Sequence, residues 1–417
     1  MSKSKPDAGD GAGASAPASA TQLIHHPYLP PGGFASVQPG VFKASTVIFD
    51  DTQALQTRQW KDKSGYTYGL HGTPTTFTLE ERLATLEGGL QALLVPSGLA
   101  AIGLVGLSLL RAGDEVLIPD NAYGPNKDLA KGELAQWGIT HRFYDPMNPD
   151  ALAGLITERT RLLWLEAAGS VTLEFPDLTR WLQVARQYAG LTVALDNTWG
   201  AGLAFNAFEL GVPASGDTRG VDVTIHALTK YPSGGGDILM GSVVTRDPSL
   251  HHRLKMTHMR LGIGVGANDA EGILRGLYSL HVRYAAHDAA ARQLAQWLKA
   301  RQEFSAVFHP ALPDSPGHLA WKAQACAAGG LVSVVFDGDR WSDASVHAFV
   351  DALKLFRIGY SWGGPVSLVM PYPLKGMRQF GHLAKRQCGT LVRFAVGLEC
   401  LDDLIADLDQ ALNVLSP

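Results

Sequence analysis

Residues 191–199 read LTVALDNTW and residues 221–231 read VDVTIHALTKY, and these two stretches decide the fold class. Each begins with an apolar run typical of a buried strand, and each run leads to a residue that can do chemistry, Asp196 in the first stretch and Lys230 in the second. Ligands of open α/β sheets bind at the carboxyl ends of the strands, so the carboxylate and the amine are expected to face one crevice. Gly234–Gly236 after the lysine would let a ligand approach the backbone closely.

The pattern of buried strands extends to both sides of these stretches. Apolar runs predict further strands at 92–95, 115–118, 162–165, 331–336 and 391–396. Helical spacing of apolar residues predicts helices at 78–86, from about Leu99, and at 291–298, 346–353 and 401–412. Strands alternating with helices predict an α/β fold with a mostly parallel sheet covered on both faces, followed by a smaller C-terminal α+β domain.

The composition of the chain excludes several classes of protein. The 417 residues carry a formal net charge of −4, whereas nucleic-acid binders usually present a basic face. No apolar run reaches the roughly 18 residues needed to span a bilayer, so no membrane contact is predicted. Cys326, Cys388 and Cys400 form no CxxC pair, which argues against a disulfide framework or a metal site. The cysteine usage and the lack of an apolar signal core in residues 1–20 predict a cytoplasmic protein.

Two sequence motifs match known fingerprints but lack the context that these require. Residues 262–267, GIGVGA, fit a dinucleotide fingerprint, but the stretch before them is basic and rich in Met and His rather than an apolar strand. Residues 359–363, GYSWG, fit the nucleophile elbow of hydrolases. No Asp or Glu lies between Ser361 and His382, the only downstream histidine, so the required order of Ser, acid and His is missing.

Asp196 and Lys230 together suit the chemistry of pyridoxal phosphate. A lysine can bind this cofactor as a Schiff base, and an aspartate can keep the pyridine nitrogen protonated. The segment 96–99, PSGL, lies between a predicted strand and a helix and offers N–H donors for a phosphate. Tyr123, after the strand at 115–118, could stack on the ring. Arg393, inside an apolar strand, is explained either by a structural ion pair or by a substrate carboxylate.

In these residues and their spacing, the chain resembles the Cys/Met-metabolism family of pyridoxal-phosphate enzymes, and within that family the bacterial cystathionine β-lyases. The similarity runs from about Gln38 to Leu412. The matching stretches are Ser45–Phe49, Tyr66–Gly69, Gly72–Thr75, Pro96–Gly98, Asp196–Trp199, Thr229–Tyr231, Tyr360–Gly364 and Arg393. The resemblance implies a fold-type-I architecture. It also implies a homo-oligomer, commonly a tetramer, whose active sites are built by dimers.

The resemblance further implies three overlapping sets of site residues. The catalytic set is Lys230, Tyr123 and Tyr68. The cofactor-binding set is Lys230, Asp196, Tyr123, Gly98, Leu99, Thr229 and Tyr68. The substrate-binding set is Arg393, Ser361, Trp362 and Tyr123. In these roles Gly98, Leu99 and Thr229 would contact the phosphate, and Tyr68 would reach the phosphate of a neighbouring subunit.

The composition predicts a disordered tail at 1–20 and an extended arm at 21–72, followed by a cofactor-binding large domain at 73–277 and a small domain at 278–417. The chain departs from the family pattern at Leu70, where many members have a phosphate-binding arginine, and at Ala227, where some have a serine.

The implied reaction is β-elimination of L-cystathionine to homocysteine, pyruvate and ammonia. Three alternatives stay open: a γ-acting relative (cystathionine γ-synthase or γ-lyase, or methionine γ-lyase), a desulfhydrase-type β-lyase acting on cysteine, and a cofactor-bound regulator without turnover.

Overall fold

A seven-stranded sheet forms the centre of the computed structural model, which describes residues 33, 36–211, 219–381 and 383–415. Its strands are β1 (Gln91–Val95), β2 (Glu115–Pro119), β3 (Thr140–Tyr144), β4 (Thr160–Glu166), β5 (Thr192–Asp196), β6 (Val223–Ala227) and β7 (Gly241–Thr245). Their order across the sheet is β1-β7-β6-β5-β4-β2-β3. Strands β2 to β6 pair in parallel, and β7 runs antiparallel to its neighbours β1 and β6. The predicted mostly parallel sheet is confirmed.

Helices cover both faces of this sheet. In chain order the helices up to this point are α1 (Thr52–Thr57), which has no buried residue, α2 (Pro74–Glu87), α3 (Gly98–Leu109), α4 (Gly124–Leu129), α5 (Leu152–Leu155), α6 (Leu178–Ala185), α7 (Pro248–Arg260), α8 (Ala267–Leu277) and α9 (Leu280–Lys299). Successive strand residues point to opposite faces, so Leu162 packs in the core with α3 and α7, and Leu163 packs in the core with α2 and α6. Burial on both faces explains why these strands are apolar throughout rather than alternating.

A five-stranded sheet follows, with three more helices. These elements are β8 (Ala306–Phe308), α10 (His318–Gln324), β9 (Leu331–Phe336), α11 (Asp343–Ala352), β10 (Arg357–Ile358), β11 (Leu368–Pro373), β12 (Thr390–Ala395) and α12 (Leu401–Leu412). The strand order is β10-β11-β12-β9-β8, antiparallel except for the β10–β11 pair. The strands and helices predicted for this region are confirmed.

Helix α9 belongs to the cores of both sheets. Leu280 and Tyr284 in its first half pack in the core of the larger sheet, whereas Leu294 and Leu298 in its second half pack in the core of the smaller one. Both cores lie in the compact unit Gly40–Pro417. The boundary between residues 277 and 278 falls just before this helix and stays a prediction.

Both motif matches lack the required context in the structure as well. Helix α7, not a strand, precedes residues 262–267, so the glycines there do not follow a strand as a dinucleotide fingerprint would. Strand β10 does precede Ser361, but the next element along the described chain is strand β11 rather than the helix that an elbow needs. His382 lies outside the described residues.

Several other predictions can be compared with the described part of the chain. The predicted tail at 1–20 lies outside it. The described part of the predicted arm contains α1 and a short 3-10 turn at Gly69–His71. No described helix is long and apolar enough to cross a membrane. Among the described residues no cluster of three or more His, Cys, Asp or Glu side chains could hold a metal ion. The three cysteines are free and exposed.

Candidate active site

A cavity of about 770 Å³ opens at the carboxyl ends of the parallel strands of the larger sheet. Asp196 is the last residue of β5, and Lys230 follows β6 by three residues. Tyr123 lies between β2 and α4, and Glu166 ends β4. All four side chains line the cavity, because the ends of adjacent parallel strands meet at one edge of a sheet. The larger sheet thus contributes two carboxyl groups, an amine and a phenol to one site.

The structure brings together every predicted site residue except Tyr68. The cavity is lined by Gly98, Leu99, Tyr123, Asp196, Thr229, Lys230, Ser361, Trp362 and Arg393. Tyr68 instead lines a separate cavity of about 270 Å³ and is 45% exposed. Its predicted place beside the phosphate of a neighbouring subunit stays a prediction.

The amine of Lys230 lies against residues that follow β10. Its Nζ donates a hydrogen bond to Ser361 Oγ at 2.9 Å and lies 5.4 Å from the centre of the Trp362 ring. Burial and the nearby Arg393 charge lower the pKa of Lys230 to about 8, and Asp196 opposes this shift. About half of the amine is therefore free of its proton near pH 8, and a smaller fraction at neutral pH.

Ser361 connects the lysine to Arg393. Its backbone has φ of 91°, in the left-handed region that a residue with a side chain rarely adopts. In this conformation its hydroxyl oxygen accepts from Lys230, and its carbonyl oxygen accepts from Arg393 Nη2 at 3.2 Å. Strain at a non-glycine residue is typical of functional sites, where the surrounding structure holds it in place.

Arg393 has hydrogen-bonding capacity left to bind a ligand. It lies on β12 with only 7% of its surface exposed, and its guanidinium is 5.6 Å from the centre of the Tyr372 ring. Among the described residues its Nε has no hydrogen-bond partner, and none of the salt bridges found there involves it. A buried guanidinium requires an acceptor, so the substrate-carboxylate explanation fits better than a structural ion pair.

Asp196 suits a cationic ring nitrogen. It is 8% exposed, and its Oδ1 accepts the Thr198 backbone N–H at 3.0 Å. Burial raises the pKa of Asp196, while the hydrogen bonds from Thr198 lower it. A carboxylate in this position is stabilised by a positive partner in the cavity, and a protonated pyridine nitrogen is such a partner.

The start of α3 suits a phosphate. Ser97 caps the helix by accepting the Ala100 N–H at 3.1 Å, and the backbone N–H groups of Gly98 and Leu99 have no acceptor within the helix. A Cβ added at Gly98 would lie 2.6 Å from the Cβ of Ala227, so only glycine lets the helix start this close to the end of β6. Helix N-termini of this kind favour anions. The donor set of the cavity therefore fits pyridoxal phosphate.

Glu166, Tyr372 and Arg378 are among the lining residues that were not predicted from the sequence. Glu166 could have been found, because it ends an apolar run at a strand end just as Asp196 does. Tyr372 is near the end of β11, a strand that was not predicted, and Arg378 lies in the irregular segment between β11 and β12. No periodic pattern pointed to either residue.

Comparisons with known proteins identify the family of the chain and its cofactor. A profile of the family described as Cys/Met metabolism PLP-dependent enzyme matches residues 20–413. The cystathionine β-lyase of Bordetella avium is 38% identical over 94% of this chain and 96% of its own. The L-alanine/L-glutamate racemase of Wolbachia pipientis wMel is 33% identical, over 90% and 92%. The crystal structure of cystathionine γ-synthase from Xanthomonas oryzae pv. oryzae superposes with a TM-score of 0.81 at 28% identity, over 92% and 95%. The chain therefore belongs to the pyridoxal-phosphate-dependent enzymes of the Cys/Met metabolism family.

Proposed function

We propose that the protein is a cystathionine β-lyase, which converts L-cystathionine and water to L-homocysteine, pyruvate and ammonia. The observation that carries the proposal is the chain of contacts from Lys230 through Ser361 to Arg393. These contacts place an amine with a lowered pKa near a guanidinium that can donate hydrogen bonds to a carboxylate. An α-amino acid bound by its carboxylate would thus present its Cα close to the amine. The 38% identity to a named β-lyase supports the same conclusion.

The cofactor would be held by Asp196 at its ring nitrogen, by the start of α3 and Thr229 at its phosphate, and by Tyr123 at its ring face. Pyridoxal phosphate, when bound, withdraws electrons from the substrate Cα and so acidifies the Cα–H bond. Lys230 is proposed to bind the cofactor covalently until the substrate takes its place.

Proton transfer is assigned to the chain's own side chains. The unprotonated Lys230 amine, favoured by its lowered pKa, removes the proton from Cα. When the Cβ–S bond breaks, the electron pair leaves with sulfur, and the sulfur receives a proton from Lys230 or from Tyr123. Partial burial and the nearby charge of Asp196 raise the pKa of Tyr123, so its hydroxyl keeps a proton to donate. Water then hydrolyses the remaining three-carbon fragment to pyruvate and ammonia.

The surroundings of the amine favour β- over γ-elimination. A γ-acting enzyme must also move a proton at Cβ, one atom further along the side chain of the substrate. The Trp362 ring lies 5.4 Å from Lys230 Nζ and packs edge-to-face with the buried ring of Tyr231. We propose that the Trp362 ring limits the reach of the amine along the substrate. The alternatives that share the cofactor site are γ-elimination and β-elimination of cysteine. The cytoplasmic location and the dimer-built tetramer remain proposals.

The nature of the product tests the proposal. Purified enzyme with L-cystathionine is expected to form pyruvate and homocysteine in equal amounts, since one Cβ–S bond breaks per turnover. Lactate dehydrogenase coupling and chromatography of the keto acid measure this. Formation of 2-oxobutyrate would contradict the proposal in favour of γ-elimination. Assays with L-cysteine and with L-alanine serve as controls, since faster desulfhydration or formation of D-alanine would identify a different main activity.

Leu70→Arg is expected to tighten cofactor binding about tenfold without changing the keto acid, because a charge-assisted bond to phosphate is worth more than a neutral one. The prediction depends on the dimer-built site, in which the Leu70 turn would face the phosphate of the partner. Equilibrium dialysis of the cofactor measures the change. Leu319→Arg, at a leucine that is 80% exposed, controls for an added surface guanidinium.

A cation that already replaces the missing arginine would give the opposite result. Lys255 is buried in the wall of the small cavity that Leu70 also lines. Unchanged or weaker retention in a Leu70→Arg variant of normal oligomer size would mean that such a group already neutralises the phosphate. Analytical ultracentrifugation of the variant supplies the size.

A further inference from the structure

Glu166 is a carboxyl group of the cavity to which the proposed mechanism gives no direct part. It is the last residue of β4 and is 9% exposed. Its Oε2 accepts the backbone N–H of Tyr123 at 2.8 Å. Tyr123 is the residue immediately before α4, so this bond fixes the point from which the phenol enters the cavity.

A second bond strengthens the same connection. The backbone N–H of Ser170, four residues after Glu166, donates to the carbonyl oxygen of Asn121 at 2.8 Å. The loop that carries Tyr123 is thereby bound at two points, to the last residue of β4 and to the segment that follows it. Both partners of the bond from Tyr123 to Glu166 line the cavity, and this bond depends on a side chain rather than on backbone alone.

Glu166 also lies next to Asp196. Strands β4 and β5 are parallel, and the two residues are opposite each other in register, so their carboxyl groups lie close together at one edge. Two buried like charges at this distance repel, and one of the groups keeps its proton. Burial, followed by the charge of Asp196, raises the pKa of Glu166 well above its ordinary value. Glu166 also faces the hydroxyls of Tyr144 on β3 and Tyr123, and three groups that oppose the rise in its pKa: Lys127 on α4, Arg378 between β11 and β12, and the Tyr123 N–H.

We propose that Glu166 is a positioning residue, which holds Tyr123 against the cofactor through its backbone N–H and stays an uncharged acid beside Asp196. The proposal rests on the proposed place of Tyr123 at the cofactor ring. Because Glu166 stays neutral, Asp196 is the charged carboxylate at the carboxyl ends of β4 and β5, and a cationic ring nitrogen requires such a charge.

Three substitutions at Glu166 separate the hydrogen bond from the charge. Glu166→Gln keeps an acceptor oxygen at the same reach but can never ionise, so cofactor affinity is expected to stay within about threefold of wild type. Glu166→Ala removes the acceptor and is expected to weaken cofactor affinity at least about tenfold. Equilibrium dialysis measures the affinity, and visible circular dichroism of the bound cofactor reports on the order of the ring. Where the alanine variant does not fold, Glu166→Asp, with a shorter arm, replaces it in the comparison.

The pH dependence distinguishes a neutral acid from a merely structural side chain. Raising the pH ionises Glu166 in the wild type and adds a second negative charge beside Asp196. The wild type is therefore expected to lose cofactor affinity at high pH more steeply than Glu166→Gln. Glu115→Gln is the matched control, since Glu115 is buried at the opposite end of the sheet and paired with Arg142. This control is expected to lose stability but to keep the wild-type cofactor spectrum.

Either of two results would overturn the proposal. If Glu166→Gln lost the cofactor as readily as Glu166→Ala, the ionised carboxylate would be the required form. If Glu166→Ala, or Glu166→Asp in its place, kept wild-type affinity and a wild-type spectrum, Tyr123 would not need this support. Cofactor retention does not depend on which keto acid is formed, so 2-oxobutyrate in the product assay would refute the β-lyase assignment and leave this test valid.

Discussion

Lys230→Ala is expected to lower the rate of keto-acid formation by at least about a thousandfold, because one amine provides both covalent binding of the cofactor and proton transfer at Cα. Ser361 Oγ accepts a hydrogen bond from Lys230 Nζ, and no other described amine lies within hydrogen-bond distance of this oxygen. Lys127 lines the same cavity but donates to the carbonyl oxygen of Asp120 at 2.9 Å. It is therefore not placed to take over.

The covalent role of Lys230 can be measured without turnover. Borohydride treatment of the wild type should fix the cofactor to the chain, and peptide mapping should find the label on the peptide that contains Lys230. Lys127→Ala, which removes the other amine of the cavity, is the control and should be labelled as the wild type is. A label on a peptide without Lys230, or a Lys230→Ala variant that retains a tenth or more of the wild-type rate, would refute the assignment.

Asp196→Asn is expected to keep the fold and to lower the rate by at least about a hundredfold, comparable to removing a preorganised electrostatic group. The amide oxygen can still accept the Thr198 N–H, so the local hydrogen bond is kept. The negative charge that would keep the ring nitrogen protonated is lost. Stopped-flow spectra of the cofactor together with kcat from the pyruvate assay measure the effect.

Asp222→Asn is the matched control for this change. Asp222 lies just before β6, at the other end of the sheet, and pairs with Arg186 at 2.9 Å. The control is expected to lower the melting temperature while kcat stays within about twofold, because surface and partly buried ion pairs act mainly on stability. A near-normal kcat in Asp196→Asn with cofactor bound would remove Asp196 from the mechanism.

Strand ends could be predicted from the sequence more readily than the residues that surround them. Asp196 and Lys230 follow apolar runs, and the rule for parallel sheets was enough to place them in one crevice. Strands β3 and β7 were missed because β3 is a partly polar edge strand, THRFY, and β7 follows the glycine-rich segment. Helix α7 was missed because its sequence, PSLHHRLKMTHMR, is too polar to show an apolar face.

For the second sheet, the sequence predicts which residues contribute to the site but not how these residues are arranged. Arg393 was recognisable as a charge within an apolar strand. Nothing in the sequence indicates that Ser361 adopts a left-handed backbone, since residues with a side chain rarely do so. That conformation lets one residue contact Lys230 and Arg393 at the same time. The link depends on how the chain turns after β10, which is a property of tertiary packing.

Helix α9 also limits how the chain can be divided. Its first half is apolar towards the larger sheet and its second half towards the smaller one, without interruption over Leu280–Lys299. A fragment ending at residue 277 would leave the pocket for Leu280 and Tyr284 open to water. A fragment starting at 278 would expose those same side chains. Each piece would expose apolar surface that the whole chain buries, so we expect either region, produced alone, to aggregate.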